Sequence, residues 1–318
     1  MIQSVAKSLA LTYLIVSFTV INAQNVSSRF SHYGELHYRL DQRVITDESR
    51  PYLEFTYDED SPNGPSYWPG DCNFGYRQSP IVYDQVAAVS ALDRDPLVMK
   101  GAYNVLPTEV HVINNGHGAT YSFVFRDNAI PQITGGPLNK EVYNFASFHF
   151  HYPCEHLPQK HKNNCKLELH FVHYNAKYGS VEEATNKLDG LAVVGLMYEE
   201  NNNIASIKFP YLKMLQHVYQ PNTDYTERKN VFTYADALGF TEFPLFVSYN
   251  GGLTTPECTE TVIWIVVDNL FPVSCSKLEQ FYRIHDSHGE RLKRNNRPIQ
   301  PLNDRITHMY NDVKWVWN

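Results

Sequence analysis

The chain has 318 residues, 43% of them hydrophobic and 19% charged. That is enough apolar material for a large core, and it excludes a disordered or low-complexity chain. A formal net charge of −7 argues against nucleic acid as a partner, since a phosphate backbone calls for a basic face.

Residues 1–23 read as a signal peptide. Lys7 supplies the positive flank, 9–21 is an apolar run, and Ile21-Asn22-Ala23 forms a cleavage site before Gln24. The run is shorter than the ~20 residues of a membrane-spanning helix, and no later segment is long and apolar enough to span a bilayer. The chain is therefore expected to be secreted, with Asn25-Val26-Ser27 as an N-glycan acceptor pattern. Residues 24–53 read as a polar N-terminal extension, 54–306 as one continuous domain and 307–318 as a C-terminal tail. Short β-rich runs recur at 110–113, 121–125, 148–152, 167–174, 191–197, 245–249 and 262–267. Turns such as Asn115-Gly116, Gly135-Gly136-Pro137 and Asn250-Gly251-Gly252 bound them. Helical patterns are few: 181–188; 204–218, interrupted by Pro210; and 276–284, with Ser276 and Glu279 at capping-box spacing. A mainly β domain with a few surface helices follows.

The chemistry concentrates in two runs. In Phe148-His149-Phe150-His151-Tyr152, strand alternation puts His149 and His151 on one face and the aromatics on the other. In Glu168-Leu169-His170-Phe171-Val172-His173, Glu168, His170 and Val172 share a face, with Leu169, Phe171 and His173 opposite. If the two strands pair, His170 completes a three-imidazole site. Three histidines plus one open position is the catalytic zinc pattern, for which carbonic anhydrase is the standard example; Mg²⁺ and Ca²⁺ prefer oxygen ligands. Glu168 is placed to accept the second ring N–H of a ligand histidine.

Together with further motifs in order, these runs resemble the α-class carbonic anhydrases. The motifs are Asn63-Gly64-Pro65 with Trp68, Arg77-Gln78-Ser79-Pro80-Ile81, Asn114-Asn115-Gly116-His117, Gly135-Gly136-Pro137-Leu138, Glu155-His156, Asp189-Gly190-Leu191-Ala192-Val193, Leu253-Thr254-Thr255-Pro256 with Trp264, Arg297-Pro298 and Gln300-Pro301-Leu302. The resemblance implies a single domain built on a large, twisted, mostly antiparallel sheet with short surface helices, and a conical cavity with Zn²⁺ at its base. It implies reversible hydration of carbon dioxide to bicarbonate and a proton, by attack of zinc-bound hydroxide. Carbon dioxide, bicarbonate and water are then the small-molecule partners.

The resemblance also implies roles. His149, His151 and His170 hold the metal. Thr254 accepts a hydrogen bond from the nucleophile and donates its own to Glu155, which aims the nucleophile, and Thr255 lies beside it. Val172, Val193, Leu253, Val262 and Trp264 form the apolar wall for carbon dioxide. His117 is the proton shuttle, with Tyr57 and Asn115 ordering the water between. Tyr249 and His156 support the site from below, while Gln78, Ser79 and Arg297 hold the fold.

Three features depart from the family pattern: Ser147 where glutamine is common, Tyr152 for a frequent tryptophan, and a short connection from His151 to Glu155. Cys72 and Cys258 match a family disulfide. Cys154 and Cys165 flank the turn between the metal strands and are expected to pair. Cys275 is left over, free or joining two chains in a disulfide-linked dimer. The alternative function is a catalytically weak or silent relative acting as a secreted binding or matrix protein.

Overall fold

Fifteen strands and four short helices form the regular framework of the residues described in the computed structural model, which are 54–91, 95–126, 129–161, 164–203, 208–239, 245–311 and 313–315. Residues 1–53, where the signal peptide, the glycan acceptor Asn25 and the polar extension are expected, lie outside them. In chain order the strands are β1 (Val82–Tyr83), β2 (Val89–Ser90), β3 (Leu97–Gly101), β4 (Glu109–Asn114), β5 (Ala119–Val124), β6 (Pro131–Gly135), β7 (Tyr143–His151) and β8 (Leu157–Pro158). They continue with β9 (Cys165–Asn175), β10 (Leu191–Glu200), β11 (Thr223–Glu227), β12 (Phe246–Gly251), β13 (Val262–Val273), β14 (His308–Tyr310) and β15 (Val313–Trp315). The helices are α1 (Val181–Thr185), α2 (Leu212–Leu215), α3 (Tyr234–Leu238) and α4 (Cys275–Phe281).

Thirteen strands join in one sheet, ordered β11-β4-β5-β7-β9-β10-β13-β12-β14-β2, with β6 and β3 branching from β7 and β15 pairing β3. Most pairings are antiparallel; β10 with β13, β14 with β2 and β15 with β3 are parallel. The segment after residue 306, set apart above as a tail, thus supplies two strands to the sheet. All seven β-rich runs of the sequence lie on strands. The helices are shorter than their patterns. The capping box expected at Ser276 does not form, because α4 begins after Ser274; a real one closes α3, where Thr233 and Asp236 bond reciprocally.

The sheet separates two apolar bodies. The larger one takes Phe148, Phe150, Tyr152, Leu167, Leu169 and Phe171, the backs of the two metal-bearing runs. Phe148 stacks on Tyr121 with centroids 4.7 Å apart. Full burial of each such side chain contributes about 1.5–3 kcal/mol, so the strands carrying the site are held firmly from behind. The second body takes Val193, Val262 and Trp264, with Val172 and Leu253 packed against it. Two disulfides, Cys72–Cys258 and Cys154–Cys165, are intramolecular. Cys275 is free and exposed. No helix among the described residues is long and apolar enough to cross a membrane.

Candidate metal centre

β7 and β9 run antiparallel with His149 opposite His170 and His151 opposite Glu168. The pleat then sends His149, His151 and His170 to the same side, and one ligand atom from each lies within 4.8 Å of the others. His151 and His170 are buried, while His149 is partly exposed. The cluster is therefore open to solvent at the His149 edge. A surface groove of about 490 Å³ between Tyr83 and Arg305 lies elsewhere and includes none of these residues.

Two of the rings are anchored through their second nitrogen. His151 Nδ1 donates to the Asn295 carbonyl at 2.6 Å, and His170 Nε2 donates to Glu168 Oε1 at 2.7 Å. That leaves Nε2 of His151 and Nδ1 of His170 facing the cluster with a lone pair each. His151 Nε2 is buried without a hydrogen-bond partner, a costly state that a metal ion would relieve. Burial, with the mutual proximity of the rings, pushes His149 down to about 3 and His151 well below its usual value, so the imidazoles are neutral and able to coordinate. Three neutral nitrogen donors with one side open fit Zn²⁺ in a four-coordinate site. His156, Glu168 and His170 also lie close together, but 2.7 Å hydrogen bonds already occupy the Glu168 oxygen they share.

Glu168 is the hub beneath. Its Oε1 accepts from both His156 and His170, and its Oε2 accepts from the backbone N–H groups of Glu155 and His156. Against the cost of burial, the His156 and His170 partners hold its carboxyl well below the usual range. Gly195 lies opposite His170 on β10; a Cβ there would stand 3.2 Å from Glu168 Oε1, so the missing side chain leaves room for the pair. His156 passes the network on to Tyr249 Oη at 2.6 Å, and Tyr249 donates to Ser79 Oγ at 2.9 Å.

Glu155 is fully buried. Burial pushes its carboxyl up, opposed by the Arg297 N–H and the Thr254 hydroxyl. Arg297 N–H donates to Oε1 at 2.8 Å, and Oε2 lies 3.9 Å from His170 Nδ1. The Arg297 guanidinium bonds Gln78, the Ser79 carbonyl and the Cys72 carbonyl.

Residues 63–310 match the family model described as eukaryotic-type carbonic anhydrase. The chain belongs to this family. It is 31% identical over 258 residues to "Putative carbonic anhydrase 5" of Caenorhabditis elegans, covering 78% of this chain and 79% of that one. It is 29% identical over 270 residues to carbonic anhydrase 15 of Mus musculus, covering 78% and 81%.

The structure also shows the surroundings of other residues expected from the carbonic anhydrase pattern. Tyr57 is buried, edge-on to Trp68, and Thr254 is buried with Thr255 half-buried beside it. Asn115 spends its side-chain oxygen on the backbone N–H of His117 at 3.0 Å, so it shapes the turn. His117 lies under Phe55, rings stacked at 3.8 Å, and burial pushes it down to about 4. His149 makes no hydrogen bond to any described residue, consistent with serine at 147 being too short to reach it. Asn295 was missed by the sequence reading. Besides His151 it bonds the backbone of Tyr152, Phe150 and His117. Its only sequence signal is adjacency to the Arg297-Pro298 motif.

Proposed function

We propose that the protein catalyses reversible hydration of carbon dioxide at a zinc ion held by His149, His151 and His170. The observation that carries the reading is the convergence of three neutral imidazoles from neighbouring strands, with a buried, unpartnered nitrogen on His151. Zinc, when bound, supplies Lewis acidity that brings the ionisation of water into the neutral range.

The chain's own groups do the positioning. With Oε1 of Glu155 taken by the Arg297 N–H, Oε2 is left for the Thr254 hydroxyl. Thr254 then donates a hydrogen bond to Glu155 and accepts one from the attacking oxygen, which fixes the direction of attack. Carbon dioxide is small and apolar, and Val172, Val193, Leu253, Val262 and Trp264 supply a continuous apolar wall for it. Thr255 stands beside the product. Trp264 also packs edge-on against His170, centroids 4.8 Å apart. His117 carries the proton outward, but with a value of about 4 it holds a proton in roughly one molecule in a thousand at pH 7. Proton release is therefore expected to be slow and buffer-dependent.

We infer secretion from the segment 1–23 together with two disulfides, which persist in oxidising compartments. The test of the catalytic reading is His170→Ala. Bound zinc and hydration activity should vanish together while the fold survives; full activity in that variant would overturn the reading.

A further inference from the structure

The turn that carries His117 is bonded to a second turn that carries another imidazole. Ser287 N–H donates to the Gly116 carbonyl at 3.1 Å. Gly116 has φ +87°, and a Cβ on it would stand 2.9 Å from Ser287 Cβ, so only glycine permits this approach. His117 and His288 each follow the contact by one residue. The second turn is well made: Asp286 Oδ1 accepts from the N–H groups of His288 and Glu290 at 3.0 Å.

The two imidazoles differ in access. His117 is roofed by Phe55, and neither of its ring nitrogens bonds any described residue. The His288 side chain is 53% exposed, and its Nε2 lies 3.0 Å from Glu54 Oε1. Glu54 and Phe55 are consecutive, so one short segment both covers the inner ring and holds the outer one. We propose that His288 is the outer station by which the proton leaves the site, handing it to buffer from a solvent-facing imidazole that Glu54 orients. The proposal rests on the hydration reading above.

The step makes and breaks only N–H bonds. With Nε2–H donated to Glu54, the Nδ1 lone pair, which Ser287 Oγ approaches at 3.4 Å, takes the proton as an N–H bond of the His117 imidazolium breaks; the His288 imidazolium then gives one proton to a buffer base and returns to neutral. Glu54 Oε1 lies 3.0 Å from the His288 ring, and Asp286 holds the His288 backbone N–H at 3.0 Å. The low value of His117, caused first by its burial and then by the His288 charge, with Asp286 opposing, makes it a poor terminal acceptor. Imidazole is the side chain suited to the task near neutral pH.

The test compares zinc-loaded wild type, His288→Ala, Glu54→Gln and His117→Ala in carbon dioxide hydration, in weak and in concentrated buffer. His288→Ala should lower kcat in weak buffer by about fivefold or more, leave kcat/KM unchanged, and recover with added imidazole. Glu54→Gln should lower kcat in weak buffer by less than His288→Ala does and leave kcat/KM unchanged, since it loosens the outer ring without removing it; rescue by imidazole separates a proton-transfer role from a merely structural one. Wild-type kcat in weak buffer for His288→Ala, with loss confined to His117→Ala, would overturn the proposal while leaving the hydration reading intact. An inactive zinc-loaded wild type would overturn both.

Discussion

At the scale of single residues, the site is unevenly braced. His151 and His170 are locked by a carbonyl and a carboxylate, whereas His149 makes no hydrogen bond to a described residue. Partners of this kind are worth about 10–100-fold in metal affinity. Ser147→Gln is therefore expected to slow zinc release to a chelator by about tenfold, read from the release rate; an unchanged rate would mean that His149 is already fixed. Glu168→Ala should act the other way and weaken zinc by about 10–100-fold, because it frees His170 and strands the N–H groups of Glu155 and His156 that it satisfies. Much of this centre was legible in the residues. Strand alternation alone gives the faces of His149, His151, Glu168 and His170, and the face of His173 on the opposite side, where the Tyr234 hydroxyl lies 3.1 Å from its Nε2. Asn295 was not legible, because it meets His151 through a backbone carbonyl, which leaves no trace in residue type. The cover on His117 was equally hidden, since it comes from a residue 62 positions earlier in the chain.

At the scale of elements, each disulfide braces a loop that carries one partner of the Glu155–Thr254 pair. Cys154 adjoins Glu155 and is tied to the start of β9; Cys258 lies four residues after Thr254 and is tied to Cys72. The chain-entropy model assigns about 3 kcal/mol to the loop spanning 11 positions and about 5 kcal/mol to the one spanning 186. Replacing Cys154 and Cys165 by serine should lower stability by up to about 3 kcal/mol, measured by denaturant unfolding, and should reduce kcat more than zinc content. A loss of zinc with kcat per zinc unchanged would show that the bridge braces the metal strands instead of Glu155. The long strands were readable because β-branched and aromatic residues recur between turn signals. The two-residue strands β1, β2 and β8 carry too few positions to show a period. Residue-type periodicity also overshot α1 and α4, since neither helix end is set by its apolar pattern.

At the scale of the whole molecule, the buried neutral histidines make the metal-free protein acid-labile. Burial pushes His173 down to about 3, opposed by hydrogen bonding to the Phe171 and Ala192 backbone. An unfolded histidine takes up a proton below about 6.5, whereas this one stays neutral until about 3. Between those values the unfolded state binds more protons, so stability is complete above about pH 6.5 and falls as pH drops. His173 alone should account for a loss of about 2 kcal/mol by pH 5. Urea midpoints at pH 7 and pH 5 check this, and His173→Gln should flatten the dependence. Below the ordinary carboxylate range the depressed Glu168 adds a loss of the same sign, because its stabilisation disappears as it is protonated. Zinc should oppose the whole trend near neutrality, since it binds only the neutral rings. The most direct test of the central claim is to titrate zinc into metal-free protein while following carbon dioxide hydration. Activity should rise in proportion to bound metal and level off at one zinc per chain; stoichiometric zinc without hydration, or hydration indifferent to zinc, would contradict the account.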